Sequence, residues 1–227
     1  MVRQWNIVPQ PGQHMAIVGK NGSGKTFSSL VIDQQIIRAG YPLLVIDSKG
    51  ERKYNALPNV QIIEVPSKLK FRGVEVYRPE GMLNTPEYLD AVLQRAFERK
   101  VTLYVDIDEV YQLVTGPRPG PGLANCLMRG RERWDGGRRV RLSIIGKSQR
   151  PAWVPRHLFT ESRLFLMHSV MEQDRDKMSE YMGDTVKQPI AGHYAWFYHD
   201  SMPAPEKILI RRQHHTRKVE ANALHRR

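Results

Sequence analysis

Residues 19–26 read Gly-Lys-Asn-Gly-Ser-Gly-Lys-Thr and fill every position of the pattern G-x-x-x-x-G-K-[ST]. Glycines at this spacing let the backbone curl until successive N–H groups converge on one phosphate, and a helix that starts here adds its positive end. Such a loop needs a strand to launch it and a helix to receive it. Residues 15–19, MAIVG, supply a short apolar strand, and Leu30, Val31, Ile32, Ile36 and Ile37 repeat at helical spacing as far as Gly40. In this context Gly19, Lys20, Asn21, Gly22, Ser23, Gly24, Lys25 and Thr26 form the expected phosphate cradle. Lys25 reaches the β- and γ-phosphates, and the Thr26 hydroxyl is placed to ligate Mg²⁺.

The rest of the chain alternates in the same way. YPLLVID at 41–47 is an apolar run ending in an aspartate, as in a strand buried on both faces. Another strand is expected at 60–65. Thr85 is an N-cap candidate before Pro86, and Leu89, Val92, Leu93, Ala96 and Phe97 then follow at helical spacing. VTLYVDID at 101–108 is a strand, and TGPRPGPG at 115–122 is a loop. A helix over 123–134 is expected to stop at Gly136-Gly137, with a strand at 140–146, a strand at 164–167 and a helix at 171–182. Segments 194–198 and 208–210 read as a hairpin. Strands alternating with helices give an α/β fold with a mostly parallel sheet. One domain at 1–206 is expected to precede a basic tail at 207–227.

A phosphate cradle needs a carboxylate for the metal and a base for water. LYVDIDEVY at 103–111 offers both at a strand end: Asp108 for the metal and Glu109 as the base. Asp106 lies on the same strand face as Asp108, which leaves open which aspartate faces the metal.

With 227 residues the chain exceeds the typical domain of about 150 residues and has room for one substantial core. No run approaches the ~20 apolar residues of a membrane span, and the N-terminus lacks the apolar stretch of a signal peptide. The single cysteine, Cys126, excludes an internal disulfide or a cysteine-based zinc cluster. His214 and His215 have no cysteines near them and make no metal site. The net charge is +12, and it is concentrated. Residues 115–164 carry eleven basic side chains against three acidic ones, and residues 207–227 carry seven against one. Two basic segments on a near-neutral body suit a polyanion, nucleic acid before membrane. Trp134, Trp153 and Trp196 are expected to pack rather than to stack on bases.

The strand LSIIG followed by Ser148-Gln149-Arg150-Pro151 completes a set. With the phosphate loop and the Asp108-Glu109 pair before it, the chain resembles the FtsK–HerA superfamily of P-loop motor ATPases over about residues 12–170. VIDSKGE at 45–51 is similar to the D-x-x-G-E segment of HerA-like proteins. The resemblance implies an ASCE, RecA-like P-loop NTPase sheet with a strand added between the phosphate-loop and Asp-Glu strands. It further implies ATP and Mg²⁺ as cofactors and Gln149 as a sensor of the γ-phosphate. It also implies a self-assembled ring, commonly a hexamer, that moves double-stranded DNA.

A strand that starts near residue 15 leaves no room for the membrane helices of FtsK or the barrel of HerA. A bare motor core is similar to the genome-packaging ATPases of double-stranded DNA viruses, and VYRPE at 76–80 and DEVY at 108–111 fit that branch. The expectation is a translocase working in the infected host's cytoplasm or at a virion vertex, with capsid-vertex or membrane proteins as further partners. A Zot-like assembly ATPase, a conjugative DNA pump and a DNA-binding switch protein are the alternatives. Ring motors take an arginine from the neighbouring subunit. Arg133, in Arg133-Trp134-Asp135-Gly136, best matches the family's R-x-x-G, with Arg131 and Arg138 as runners-up. Arg118, in the loop 115–122, is a candidate DNA contact.

Overall fold

The computed structural model describes residues 7–114, 118–192 and 194–210. Strand β1 (His14–Val18) runs into the glycine loop, and α1 (Lys25–Arg38) follows. Then come β2 (Leu43–Ile46), β3 (Val60–Ile63), β4 (Val74–Tyr77), α2 (Pro86–Glu98) and β5 (Leu103–Ile107). The second half holds α3 (Pro121–Arg129), β6 (Arg133–Asp135), β7 (Arg138–Val140), β8 (Leu142–Ser148), α4 (Arg156–Glu161) and β9 (Ser162–Met167). It ends with α5 (Glu172–Met182), β10 (Tyr194–His199) and β11 (Glu206–Leu209).

Nine strands form one sheet in the order β11-β10-β9-β1-β8-β5-β2-β4-β3. All pairings from β3 to β9 are parallel, while β10 and β11 are antiparallel. The expected hairpin, β10 and β11, forms one edge of the main sheet, and β11 (Glu206–Leu209) crosses the expected boundary at 206. Strand β8 lies between β1 and β5, with Val18 beside Ser148 and Ile107 beside Gly146. This register lines up the carboxyl ends of the three strands, where ligands bind in open α/β sheets.

Alternate strand residues feed opposite faces, as the two-residue period requires. Met15, Ile17, Val45, Tyr104 and Ile145 pack with Ile32 and Ile36 of α1 on one face. Ala16, Leu44, Val105 and Ile144 pack with Leu93, Leu127, Leu158 and Met178, from α2 to α5, on the other. A sheet sandwiched between helices explains why β1, β2 and β5 are buried throughout rather than alternating.

Two local readings are corrected. The helix expected over 123–134 ends at Arg129, and residues 133–140 instead form the separate hairpin β6–β7. Gly136 and Gly137, read as a helix stop, are its turn. Their φ values of 53° and 85° are the pair of positive angles that a tight two-residue hairpin turn demands. Thr85 precedes α2, but its side chain makes no capping bond there.

Candidate active site

The loop after β1 is held in shape before any ligand arrives. Gly24 sits at φ 103°, a conformation L side chains rarely adopt. A Cβ on Gly19 would lie 2.4 Å from Ser23 Oγ and 2.7 Å from His168 Cβ. His168, just past β9, braces the loop from below: its backbone N–H donates to Val18 O at 2.8 Å, and the next residue's carbonyl receives Lys20 N–H at 2.8 Å. Its Nε2 lies 2.9 Å from Ser28 Oγ. Burial, and then the charge of Lys25, push the imidazole down to about 4, so it is neutral at physiological pH.

Lys25 is curled over its own loop, its ammonium donating to Gly19 O at 2.7 Å and Lys20 O at 3.2 Å. Burial lowers its pKa to about 8, with Glu109 the largest opposing influence. A phosphate would offer this desolvated cation a stronger acceptor than neutral carbonyls do.

The Asp-Glu pair follows β5 directly. Asp108 and Glu109 are both buried, at 3% and 2% exposure, beside the phosphate loop rather than out in solvent. Asp106 and Asp108 differ in their partners. Asp106 is paired with Lys147, whose Nζ lies 2.7 Å from Oδ1 and donates to Oδ2 at 2.8 Å, and Ser29 Oγ donates to Oδ2 at 2.5 Å, while the buried Oδ1 of Asp106 receives no hydrogen bond. Asp108 accepts from the Tyr54 hydroxyl at 3.2 Å through Oδ1, while its buried Oδ2 has no hydrogen-bond partner. An orphaned carboxylate oxygen with the Thr26 hydroxyl is a hard, all-oxygen donor set of the kind Mg²⁺ uses, completed by phosphate and water. No group of three or more His, Cys, Asp or Glu side chains among the described residues is arranged to hold a metal unaided.

Glu109 has both oxygens engaged. Oε1 accepts from Lys49 Nζ at 2.6 Å, and Oε2 accepts the backbone N–H of Gln149 at 3.3 Å. Gln149 thus stands at the end of β8, next to the carboxylate, where sequence placed it.

Beneath the loop lies a buried polar network that sequence reading missed. Lys147 on β8 is fully buried and donates to Asp106, to Ser29 Oγ at 3.0 Å and to the Tyr54 hydroxyl at 2.5 Å. Burial alone would lower its pKa. Asp106, Tyr54, Asp108 and Asp33 outweigh that and raise it, so the ammonium persists. Asp33, one turn after Ser29, is raised well above its ordinary carboxylate value by burial and by Asp106. The signal was present: Lys147 directly follows the apolar run Ile144-Ile145-Gly146, where an unpaired buried lysine would not be tolerated.

The basic segment 115–164 therefore does not act as one surface. Lys147 is core, and Arg131, Arg139 and Arg163 pair with Glu161, Glu132 and Asp200. Arg133, the expected trans arginine, is 8% exposed and donates to Phe97 O and, at 2.9 Å, to Val101 O, with its guanidinium over the Phe97 ring. It pins β6 to the end of α2. Arg138, exposed beside the hairpin turn, has no ion pair among the described residues. Trp196 packs as expected, but Trp134 and Trp153 are 58% and 57% exposed, and Arg150 lies over the Trp153 ring at 4.2 Å. Arg118 is exposed, whereas residues 115–117 and 211–227, including His214 and His215, lie outside the described residues.

A glycine loop between β1 and α1, an added strand ending in Gln149, and an Asp-Glu pair on the strand beyond it define a P-loop ATPase of the ASCE type. Residues 11–112 match the family "Helicase HerA, central domain". DNA packaging ATPase P9 of Enterobacteria phage PRD1 is 23% identical over 172 residues, covering 76% of this chain and 70% of that protein. The DNA double-strand break repair helicase HerA of Sulfolobus acidocaldarius is 36% identical over 52 residues, 23% of this chain and 10% of that one. The genome packaging NTPase B204 of Sulfolobus turreted icosahedral virus 2, solved with ATP-γS, superposes with a TM-score of 0.71 at 16% identity over 89% of this chain and all (100%) of that chain. The conjugation coupling protein TcpA, solved with ATPγS, gives a TM-score of 0.58 at 15% identity over 87% of this chain and 59% of that one. The chain is thus similar to the HerA central domain over residues 11–112 and to a phage packaging ATPase over 76% of its length.

Proposed function

We propose that the protein is an ATP-driven translocase of double-stranded DNA that packages a viral genome, working as a ring of identical subunits. The observation that carries this reading is the likeness to phage PRD1 P9, which extends over 76% of this chain, well past the phosphate loop. The fold-level likeness to B204 accords with it. The conjugation-type reading draws only on the fold likeness to TcpA.

In the proposed cycle, the loop N–H groups and Lys25 bind the β- and γ-phosphates, with Lys25 leaving its two carbonyl partners to do so. Thr26 and Asp108 would hold Mg²⁺, which would supply positive charge to offset that of the phosphates. Glu109 takes the proton of the attacking water, and Gln149, whose backbone N–H orients Glu109, reports the γ-phosphate to the β8 end. Arg138 is the side chain we assign to the neighbouring subunit's phosphates.

The exposed Arg118, Arg150 and Arg156 are available to DNA phosphates rather than to base edges, as a motor that must move any sequence requires. Affinity for unrelated duplexes should fall with salt at a log–log slope of about −0.9 per phosphate contact. Arg118→Ala should make that slope shallower by about one unit. Deleting residues 211–227 should weaken DNA binding and leave the DNA-free ATPase rate unchanged. A salt-insensitive, sequence-selective complex would instead favour the switch protein.

A further inference from the structure

Behind Asp108 stands a chain of hydrogen bonds whose direction is fixed by its hydrogens. Lys147 Nζ has three, and all are placed: on Asp106 Oδ2 at 2.8 Å, on Ser29 Oγ at 3.0 Å and on the Tyr54 hydroxyl oxygen at 2.5 Å. An ammonium accepts nothing, so the single hydroxyl hydrogen of Tyr54 is given elsewhere. It goes to Asp108 Oδ1 at 3.2 Å. Lys147 Nζ itself lies 3.6 Å from that oxygen, so the hydroxyl makes the contact that the ammonium cannot.

This chain holds one Asp108 oxygen and leaves the other. Oδ2 is buried without a hydrogen-bond partner, and Lys49 Nζ, at 4.0 Å, is beyond hydrogen-bond reach. The links behind Oδ1 are closely held. Tyr54 and Lys147 have no exposed surface, and the ammonium also lies 5.0 Å from the centre of the Tyr54 ring. Tyr54 sits on the short turn Arg52–Ala56, where its own N–H donates to Glu51 O at 3.2 Å. Burying an ammonium is costly, and apolar side chains of similar volume often fill a core at least as stably. A network kept against that cost, and ending on the carboxylate read as a metal ligand, acts on orientation.

We propose that Tyr54 and Lys147 are positioning residues that hold Asp108 by Oδ1 and so present its Oδ2 to Mg²⁺. This role rests on Asp108 being a metal ligand. Tyr54→Phe keeps the ring and removes the hydroxyl. Mn²⁺ binding to the protein with ATPγS, protein in excess, is read from the electron paramagnetic resonance signal of the free ion. Tyr54→Phe should weaken it about tenfold, the scale on which partners behind a metal ligand act, while ATPγS binding in EDTA changes less than twofold. The Mg²⁺ concentration for half-maximal turnover should rise by the same factor, and excess Mg²⁺ should restore most of the rate. Lys147→Met combined with Asp106→Asn removes both charges behind the hydroxyl and should weaken Mn²⁺ binding too. Adding Tyr54→Phe to that pair should leave it no weaker than Tyr54→Phe alone, because the residues act as one unit. If the pair does not fold, Tyr54→Phe decides alone.

Wild-type Mn²⁺ affinity in Tyr54→Phe, beside a clear loss in Asp108→Asn, would overturn the positioning role and leave Asp108 as a ligand. Wild-type affinity in Asp108→Asn as well would overturn the metal reading along with it. A Tyr54→Phe protein whose ATPγS binding in EDTA falls as far as its Mn²⁺ binding would also overturn the role, since a disturbed phosphate loop would then be the cause.

Discussion

Arg133 and Arg138 show how little a residue's type says about its work. The two arginines lie on adjacent strands of one hairpin, yet the first is anchored on carbonyls and the second faces solvent. Arg133→Ala would leave Phe97 O and Val101 O without their donor, at a cost of about 1–3 kcal/mol of stability. Turnover per folded molecule should be unchanged. Arg138→Ala should leave the melting temperature where it is and, if this residue serves the adjacent subunit, reduce turnover by about 10³. Mixing Arg138→Ala with Lys25→Ala subunits should then recover activity, because one kind of interface pairs an intact phosphate loop with an intact arginine. Denaturant curves and ATPase assays on the same samples separate the two roles. A stable, inactive Arg133→Ala would reverse the assignment.

At the scale of elements, local chemistry was legible and tertiary substitution for it was not. The glycine loop, the Asp-Glu strand end and Gln149 could be read because each is a short motif fixed by its immediate chain neighbours. Gly136-Gly137 was misread because glycine serves both a helix stop and a tight hairpin turn, and only pairing across the turn distinguishes them. Thr85 had the right type for a cap but makes no capping bond. The cap that matters comes from elsewhere: Asp90 of α2 accepts the N–H groups of Gly122 at 2.9 Å and Leu123 at 2.8 Å, at the first turn of α3. Nothing in the order of residues links 90 to 122. A Cβ on Gly122 would lie 2.1 Å from Asp90 O, so the two helices also touch through backbone. Asp90→Ala should cost about 2 kcal/mol, since it strands two buried donors, while Thr85→Ala should change stability by less than about 0.5 kcal/mol. Equal effects from the two variants would contradict this.

For the whole molecule, two buried neutral histidines tie the fold to pH. His14 on β1 accepts the Ile144 N–H at 3.0 Å through Nδ1, and burial lowers it, like His168, to about 4. An unfolded chain takes up these protons near pH 6.5, before the folded one does. The stability they contribute is therefore full above pH 6.5 and is lost as pH falls toward 4, about 3 kcal/mol for each histidine. Asp33 works the other way, because its raised folded value favours the native state in acid. His168→Gln should show a smaller drop in melting temperature between pH 6.5 and 4.5 than the wild type does. The same drop in both would contradict the linkage. At this scale the parallel sheet and the added strand follow from the family likeness, but the dispersal of the basic segment into core, hairpin and ion pairs does not. A charge count cannot tell Lys147, which is fully buried, from Arg118, which is exposed.

The central claim is that the site hydrolyses ATP with Glu109 as base and couples that turnover to DNA. Steady-state phosphate release, measured for the wild type, Lys25→Ala and Glu109→Gln with and without duplex DNA, tests it in one experiment. The wild type should hydrolyse ATP and speed up severalfold with DNA. Lys25→Ala should neither bind nor turn over, and Glu109→Gln should bind ATP without hydrolysing it, because the amide keeps the shape and loses the basicity. Wild-type turnover by Glu109→Gln, or a wild-type rate indifferent to DNA of any sequence, would contradict the account.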